Sequence, residues 1–106
     1  MATEVEPDEV AEKAEDGELQ VIDIRQPGHF EEGHVPGAEN VPMPELPQRL
    51  GDLDWEDEVV VVCPIGQSSV QAARLIESYE GVDDDATVAS MAGGYDEYDG
   101  ALETGD

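Results

Sequence analysis

Residues 59–69 read Val-Val-Val-Val-Cys-Pro-Ile-Gly-Gln-Ser-Ser, and this stretch decides the fold class. Four consecutive β-branched residues predict a strand that is buried on both faces, as in parallel sheets covered by helices. The pattern Ser68-x-x-Gln71 has the form of a capping box and predicts a helix that continues to about Tyr79. A buried strand, a cysteine, a short loop and a helix in this order indicate an α/β protein.

The sequence on either side alternates apolar segments with helical patterns. We expect further strands at residues 3–5, 19–24 and 86–90. We expect helices from Pro7 to near Gly17, over residues 26–32 up to Gly33, and between Leu46 and Gly51. Residues 34–44 contain several prolines and predict an irregular loop, and residues 97–106 are expected to be loosely held. The chain of 106 residues suits a single domain, residues 1–106, with a mainly parallel sheet.

The charge balance is strongly acidic. There are 28 aspartate and glutamate residues against four lysines and arginines, and the formal net charge is −24. Proteins that bind nucleic acid present basic surfaces, and anionic membrane surfaces repel acidic proteins. The composition therefore predicts neither a nucleic-acid partner nor a membrane partner.

The acidic residues are dispersed from Glu4 to Asp106 and are not gathered in one tail. Dispersed acid on a patterned chain indicates a solvated acidic surface, which repels itself at low ionic strength. At molar salt the Debye length falls to about 3 Å, and most of that repulsion is screened. The composition therefore predicts a halophile-like protein that works in a salt-rich cytoplasm.

The chain contains a single cysteine, Cys63. One cysteine excludes an intramolecular disulfide and a cysteine cluster for zinc. No metal and no organic cofactor is implied by the sequence. Residues 1–10 contain neither a basic region nor a long apolar run, which argues against a signal peptide and a membrane span. These features favour a cytoplasmic protein.

Cys63 is the first candidate for chemistry, because it is predicted to lie at the carboxyl end of a strand. Ligands of open α/β sheets bind at that edge, and the amide groups of a following helix would stabilise a thiolate or a bound anion. Gly66 allows a tight loop whose amides turn inward. A cysteine at a strand end is, however, often only a small buried hydrophobic residue. Both interpretations stay open on the spacing alone, and Ser68 and Ser69 are adequately explained as helix caps.

Several separate motifs resemble those of the rhodanese family. Cys63-x-x-Gly66-x-Ser68-Ser69 resembles its six-residue active-site loop. Residues 21–25, Val-Ile-Asp-Ile-Arg, and 33–42, Gly-His-Val-Pro-Gly-Ala-Glu-Asn-Val-Pro, resemble its Asp-x-Arg and Gly-His-Ile-x-Gly-Ala-x-Asn-x-Pro elements. Residues 91–95, Met-Ala-Gly-Gly-Tyr, resemble the Gly-Gly segment that precedes its final helix. Order and spacing agree over roughly residues 3 to 100.

The resemblance implies a rhodanese-like α/β fold with a five-stranded, mainly parallel sheet and helices on both faces. It implies a ping-pong reaction in which the Cys63 thiolate takes sulfane sulfur from a donor and passes it to a nucleophilic acceptor. The implied substrate-binding loop comprises Pro64, Ile65, Gly66, Gln67, Ser68 and Ser69. The residues implied to hold the loops in place are Asp23, Arg25, His34 and Gly37. For His34 a structural hydrogen bond is favoured over a role as a base.

The loop departs from the family pattern at Ser68, where many members carry arginine. Pro64 and Ile65 follow the cysteine, where some members carry basic residues. Anion binding would then depend on backbone amides, which puts efficient use of thiosulfate in doubt. The expected donor is a small sulfur-containing anion or a protein persulfide. The expected acceptor is a thiol, cyanide or a protein, and the expected state is a monomer.

Two other functions compete with sulfur transfer. A cysteine phosphatase needs Cys-x5-Arg to grip a phosphoryl group, but the corresponding position holds Ser69, and related phosphatases and arsenate reductases have a loop one residue longer. A non-turnover relay or regulatory module would instead dock a partner protein at the Cys63 loop. Trp55, Tyr95 and Tyr98 could mark such a surface, although core packing is the simpler explanation.

Overall fold

The computed structural model describes residues 3–17, 19–64, 68–82, 85–100 and 102–105. Its centre is a five-stranded sheet with the order β1-β5-β4-β2-β3, in which every neighbouring pair is parallel. The strands are Thr3–Val5 (β1), Gln20–Asp23 (β2), Glu39–Asn40 (β3), Glu58–Val62 (β4) and Thr87–Met91 (β5). The prediction of an α/β protein with a mainly parallel sheet is confirmed.

The valine run forms the central strand. All four valines of β4 are buried, with at most 1% of each side chain exposed. Alternate residues of a strand point to opposite faces, so the run contributes to two cores at once. Val60 and Val62 pack with Val10 and Met91 on one face. Val59 and Val61 belong to the core on the other face.

Helices cover both faces of the sheet, as the resemblance implied. They are Pro7–Glu15 (α1), Pro27–Glu32 (α2), Leu46–Arg49 (α3) and Ser68–Glu77 (α4), with 3-10 turns at Met43–Glu45, Leu50–Asp52 and Gly94–Glu97. The helix α1 contributes Val10 to the core that contains Val60 and Val62. The helix α4 contributes Ala72, Ala73 and Ile76 to the core that contains Val59 and Val61. A buried stripe at helical spacing is what holds a ten-residue helix in place, since an isolated helix of that length is marginal in water.

The prediction of an irregular loop over residues 34–44 is wrong in two places. It contains the short strand β3, which pairs with β2, and it ends in the 3-10 turn that begins at Met43. The side-chain amide of Asn40 donates to the carbonyls of Asp23 and Arg25 at 3.1 and 2.9 Å, which fixes β3 on the edge of the sheet. Gly51 does not end a helix, because it lies inside the 3-10 turn Leu50–Asp52.

The end of the chain is also better held than expected. Glu103 and His34 exchange two backbone hydrogen bonds, of 2.8 and 2.9 Å, as an isolated antiparallel bridge. The amide of Gly105 donates to the carbonyl of Glu31 at 2.8 Å. The prediction that residues 97–106 are loosely held is therefore wrong for this segment. The helix implied after the Gly-Gly segment is only a single 3-10 turn, Gly94–Glu97.

The aromatic residues considered as a docking surface pack against the two cores. Trp55 is half-buried against the α4 side and donates from Nε1 to the carbonyl of Leu50 at 2.9 Å. Tyr95 and Tyr98 pack against the α1 side. Within the residues that the structure describes, no helix has the length and apolar character needed to cross a membrane.

We expect Ile76→Ala to lower the free energy of unfolding by about 2–5 kcal/mol, because Ile76 is fully buried between α4 and the sheet. Urea denaturation at a fixed salt concentration measures this loss. Glu77→Ala on the exposed side of the same helix is the matched control and should change stability by about 0.5 kcal/mol or less. Equal effects of the two substitutions would contradict the placement of α4.

Candidate active site at the carboxyl end of the central strand

Cys63 directly follows β4, between the ends of β2 and β5. The neighbouring strands bring Asp23 beside Val62 and Ser90 beside Val61. Because all strands are parallel, their carboxyl ends meet at one edge of the sheet, and the chain turns there into α4. This edge is the expected place for a ligand or a reactive group.

The sulfur of Cys63 lies against the first turn of α4. Only 1% of Cys63 is exposed, and its Sγ lies 3.2 Å from the hydroxyl oxygen of Ser69. The backbone amide of Ser69 donates to the same sulfur at 3.4 Å. A helix amino terminus carries unsatisfied N–H groups and the positive end of the helix dipole, both of which favour a negatively charged sulfur. Both the amide of Ser69 and the start of α4 are therefore directed at the sulfur.

The hydroxyl of Ser69 has a second partner, which the sequence did not indicate. Its Oγ lies 2.6 Å from Oγ of Ser90, a residue of β5, and either hydroxyl can donate in this pair. Both serines have an exposed fraction of 0%. Cys63, Ser69 and Ser90 thus form a continuous buried chain of hydrogen-bonding groups.

The predicted loop is described only in part. Pro64 and Ser68 are exposed on either side of it, whereas Ile65, Gly66 and Gln67 lie outside the described residues. The helix α4 begins at Ser68, so Ser68 is its first residue and does not precede it as a cap. The interpretation of Ser69 as a cap is wrong, because its hydroxyl contacts Cys63 and Ser90.

Asp23 and Arg25 form a buried ion pair beside the end of β4. The carboxylate of Asp23 is completely buried, and Nη2 of Arg25 lies 2.8 Å from its Oδ2. The same Nη2 donates to the carbonyl of Gly33 at 2.7 Å. Burial alone would lower the pKa of Arg25, but its hydrogen bond to Asp23 and the charge of that carboxylate raise the pKa above its ordinary value. Through these contacts the pair connects β2 to the segment after α2.

Tyr95 connects this ion pair to the cysteine segment. Its hydroxyl donates to Oδ2 of Asp23 at 2.8 Å and accepts from the amide of Val35 at 3.1 Å, and Arg25 lies over its ring at 3.9 Å from the centroid. Its backbone amide donates to the carbonyl of Cys63 at 2.9 Å. One residue thus contacts both the buried ion pair and the backbone of the candidate nucleophile.

His34 and Gly37, in the segment after α2, both contact Glu103 near the end of the chain. The ring of His34 is stacked on Phe30 at 3.7 Å, and its Nδ1–H donates to the carbonyl of Phe30 at 2.7 Å. Its Nε2 lies 3.8 Å from Oε1 of Glu103. The amide of Gly37 donates to the same oxygen at 3.0 Å, with the backbone of Gly37 at a φ of +82°, where glycine is favoured. The two residues hold the end of the chain against α2.

Three of the four basic residues are engaged away from the sulfur. Lys13 pairs with Glu58 at 2.8 Å, at the opposite end of β4. Arg25 pairs with Asp23, and Arg49 donates to the carbonyl of Asn40. Arg74 is exposed in the last turn of α4, about 9 Å along the helix axis from Ser68. In the part of the chain that is described, no three histidine, cysteine, aspartate or glutamate side chains form a group suited to a metal ion.

Comparison with known proteins gives the family. The model of the rhodanese-like domain family matches residues 6–101. The chain is 38% identical over 77 residues to the thiosulfate sulfurtransferase GlpE of Shewanella oneidensis, and the alignment covers 73% of this chain and 72% of that protein. It is 32% identical over 62 residues to YrkF of Bacillus subtilis, which carries the provisional name of a sulfur carrier protein, over 58% of this chain.

A solved structure agrees with this match. The rhodanese-like domain protein of Staphylococcus aureus superposes with a TM-score of 0.80 at 21% identity, covering 98% of this chain and 99% of that one. The chain therefore belongs to the rhodanese-like domain family, which includes sulfurtransferases. It spans about a third of the length of YrkF, 34%.

Sequence reasoning found Cys63 but missed Ser90 and the hydroxyl of Tyr95. Ser90 is a polar residue in the otherwise apolar stretch Val88-Ala89-Ser90-Met91, and such a residue in a buried strand requires a hydrogen-bond partner. That requirement is the signal that could have drawn attention to it. Tyr95 was noticed only as part of a motif, and its partner Asp23 is 72 residues away.

We expect the free energy of unfolding to fall as the pH rises above about 10. Burial, followed by the charge of Asp23, raises the pKa of Tyr95 well above its ordinary value of 10.0. The unfolded chain therefore loses this proton first, and the stabilisation is lost as the pH rises towards the folded-state value. Tyr95→Phe should make this decline shallower, and at neutral pH it should cost about 1–3 kcal/mol because Asp23 and Val35 lose a partner.

Urea denaturation at several alkaline pH values measures both effects. Tyr98→Phe is the comparison variant, because Tyr98 packs edge-on against Tyr95 at 5.9 Å and its substitution leaves the hydroxyl on Asp23 in place. Burial and the charge of Glu15 also raise the pKa of Tyr98, so this variant should flatten part of the alkaline decline but should not show the loss at neutral pH. An unchanged alkaline slope in Tyr95→Phe would show that the hydroxyl of Tyr95 does not hold its proton in the folded state.

Proposed function

We propose that this chain is a rhodanese-type sulfurtransferase that carries sulfur as a persulfide on Cys63. The observation that supports this most strongly is the placement of Sγ, buried at the amino end of α4 with the amide of Ser69 directed at it. Membership of a family with members named as sulfurtransferases points to the same chemistry. We treat residues 1–106 as one domain, since both cores share the strand β4.

The proposed reaction has two balanced steps. The Cys63 thiolate attacks the sulfane sulfur of the donor and forms a new S–S bond with it. The bond between that sulfur and the rest of the donor breaks, and the leaving group departs with the electron pair, as sulfite if the donor is thiosulfate. A nucleophilic acceptor, either a thiol, cyanide or a protein, then takes the outer sulfur and restores the thiolate. No metal or organic cofactor takes part in either step.

In this proposal the loop residues bind the persulfide and the residues around it hold the loop. Pro64, Ser68 and Ser69 flank the sulfur-binding region, and Ile65, Gly66 and Gln67 are assigned to it from the sequence alone. Asp23 and Arg25 act through Tyr95, whose amide holds the carbonyl of Cys63. His34 and Gly37 act at greater distance, by holding Glu103.

A protein persulfide suits this site better than a free anionic donor. Residues 63–69 contain no basic side chain, and the net charge is −24. A dianion such as thiosulfate is therefore repelled over a long range at low salt, whereas a docked protein delivers its sulfur directly. The same feature supports the second candidate, a relay module without rapid turnover.

We further propose that the protein is cytoplasmic, because a reducing compartment keeps a single thiol available. We also propose that it is a monomer without nucleic-acid or membrane partners, in line with its net charge of −24.

We expect incubation with a donor to add one sulfur atom to the protein, as seen by intact mass. Thiosulfate and a cysteine-desulfurase persulfide are offered separately in molar KCl, beside Cys63→Ser as the matched control. The added sulfur should be removed by cyanide and should be absent from the variant, which has no other cysteine. Turnover with small acceptors then distinguishes an enzyme from a relay module.

Circular dichroism confirms that each sample is folded before the mass is taken. Loading by the protein persulfide but not by thiosulfate would assign the donor class. If neither donor adds sulfur to the folded wild-type chain, the proposed function is wrong and only the assignment to the family fold remains.

The acidic surface leads us to propose adaptation to concentrated salt. We expect the thermal midpoint of unfolding to rise as KCl increases from about 0.1 M to 1 M, because the Debye length falls from about 10 Å to about 3 Å. The control is the same titration at the acidic pH where the net charge vanishes, where the salt effect should shrink. Maximal stability in dilute buffer at neutral pH would contradict salt adaptation.

A further inference from the structure

We propose that Ser90 is a positioning residue for the sulfur site, acting on Cys63 through the hydroxyl of Ser69. This proposal rests on the proposed role of Cys63 as the sulfur carrier. The Oγ of Ser90 lies 2.6 Å from Oγ of Ser69, which in turn lies 3.2 Å from the sulfur of Cys63. The three groups come from three separate elements, the end of β4, the start of α4 and the end of β5.

Burial keeps the hydroxyls of Ser69 and Ser90 paired with each other. Ser69 and Ser90 have an exposed fraction of 0%, so neither hydroxyl is in contact with bulk water. A buried hydroxyl without a partner is costly, and this cost keeps the two serines together. The hydroxyl of Ser69 is therefore held between two partners, the sulfur on one side and Ser90 on the other.

The pair can serve both protonation states of the sulfur by rotating its hydroxyl hydrogens. When Cys63 is a thiol, its S–H donates to Ser69, and the hydroxyl of Ser69 donates to Ser90. When the thiol proton is lost to a base in solvent, the direction reverses. Ser90 then donates to Ser69, and Ser69 donates to the thiolate. Hydrogen bonds in such a chain strengthen one another, and a bond to an ionised sulfur is stronger than a neutral one. Ser90 therefore favours the thiolate, the form that attacks a donor.

The charged groups near the sulfur do not replace this pair. Asp23 and Arg25 after β2 are bonded to each other. Asp96 after β5 contacts the segment through its backbone amide, 3.0 Å from the carbonyl of Pro64, and Arg74 lies at the far end of α4. These groups are unchanged in the Ser69→Ala, Ser90→Ala and Val88→Ala variants, so their effect on the midpoint of the thiolate titration cancels when the variants are compared with the wild-type chain.

The test is a pH titration of the ultraviolet absorbance of the thiolate, in molar KCl, with Cys63→Ser as the blank. A single cysteine makes the signal unambiguous. We expect Ser69→Ala to move the midpoint about one pH unit higher, since it removes a hydrogen bond to a charged group. Ser90→Ala should move it in the same direction by about half a unit, since it removes only the cooperative part. The rate of sulfur loading at a fixed pH should fall severalfold in parallel.

A double-mutant cycle separates positioning from general damage. If Ser90 acts through Ser69, then Ser90→Ala adds nothing to the midpoint in the Ser69→Ala background. Val88→Ala is the matched control, because Val88 is 1% exposed in the same strand, and its truncation loosens the core without removing a hydroxyl. It should lower stability and leave the midpoint unchanged.

The outcomes are distinguishable from those of sulfur loading. A wild-type midpoint in Ser90→Ala, or a shift that is fully additive with Ser69→Ala, would overturn the role of Ser90. An equal shift in Val88→Ala would reduce that role to core packing. The titration needs no sulfur donor, so a chain that fails to load sulfur but shows the predicted midpoints contradicts the proposed function and not the coupling.

Discussion

The buried carboxylate of Asp23 is the constraint around which this edge of the sheet is built. An ionised carboxylate that is removed from water must be paired and hydrogen-bonded, and removal of one partner of such a pair commonly costs about 3–5 kcal/mol. Here Arg25 and the hydroxyl of Tyr95 supply those partners. Since Arg25 also holds the carbonyl of Gly33 and Tyr95 holds that of Cys63, satisfying one charge fixes the segments on either side of it. The backbone of Cys63 is thus held by the same residue, Tyr95, that satisfies the carboxylate of Asp23 on the neighbouring strand.

The parts of the fold that could be predicted are those in which a local pattern and the tertiary environment agree. The valine run identified β4 because four consecutive β-branched residues, Val59 to Val62, are buried on both faces of the sheet. The helix α1 was predictable from Pro7 at its start and Gly17 beyond its end, where φ is +69°. The strand β3 was not predictable, because Glu39 and Asn40 have neither apolar character nor alternation. It exists because the side chain of Asn40 binds carbonyls 15 and 17 residues away.

The same distinction applies to the candidate site. Cys63 could be found because its position after the buried strand and before a helix is visible in the sequence. The partners of its sulfur could not be chosen in the same way, since Ser68 and Ser69 are equivalent by residue type. Only the start of α4 decides that Ser69 is buried and Ser68 exposed. Ser90 is still harder to predict from the sequence. It lies 21 residues from Ser69 along the chain, and the two meet only because β5 lies beside β4.

The pairing of β1 with β5 has a consequence for the order in which the chain is made. Thr3 pairs with Ala89 and Val5 with Met91, so the first strand of this sheet to be synthesised pairs with the last one. Until β5 is made, β1 has no partner in the sheet, and even in the finished fold it is an edge strand with β5 on one side only. Such an unpaired edge invites pairing with strands of other chains. Glu4 and Glu6 are exposed at this strand, and neighbouring copies on one polysome would repel each other there. Charged residues on an edge strand oppose pairing between copies, so the acidic residues that add to self-repulsion within the molecule also act against association at this edge.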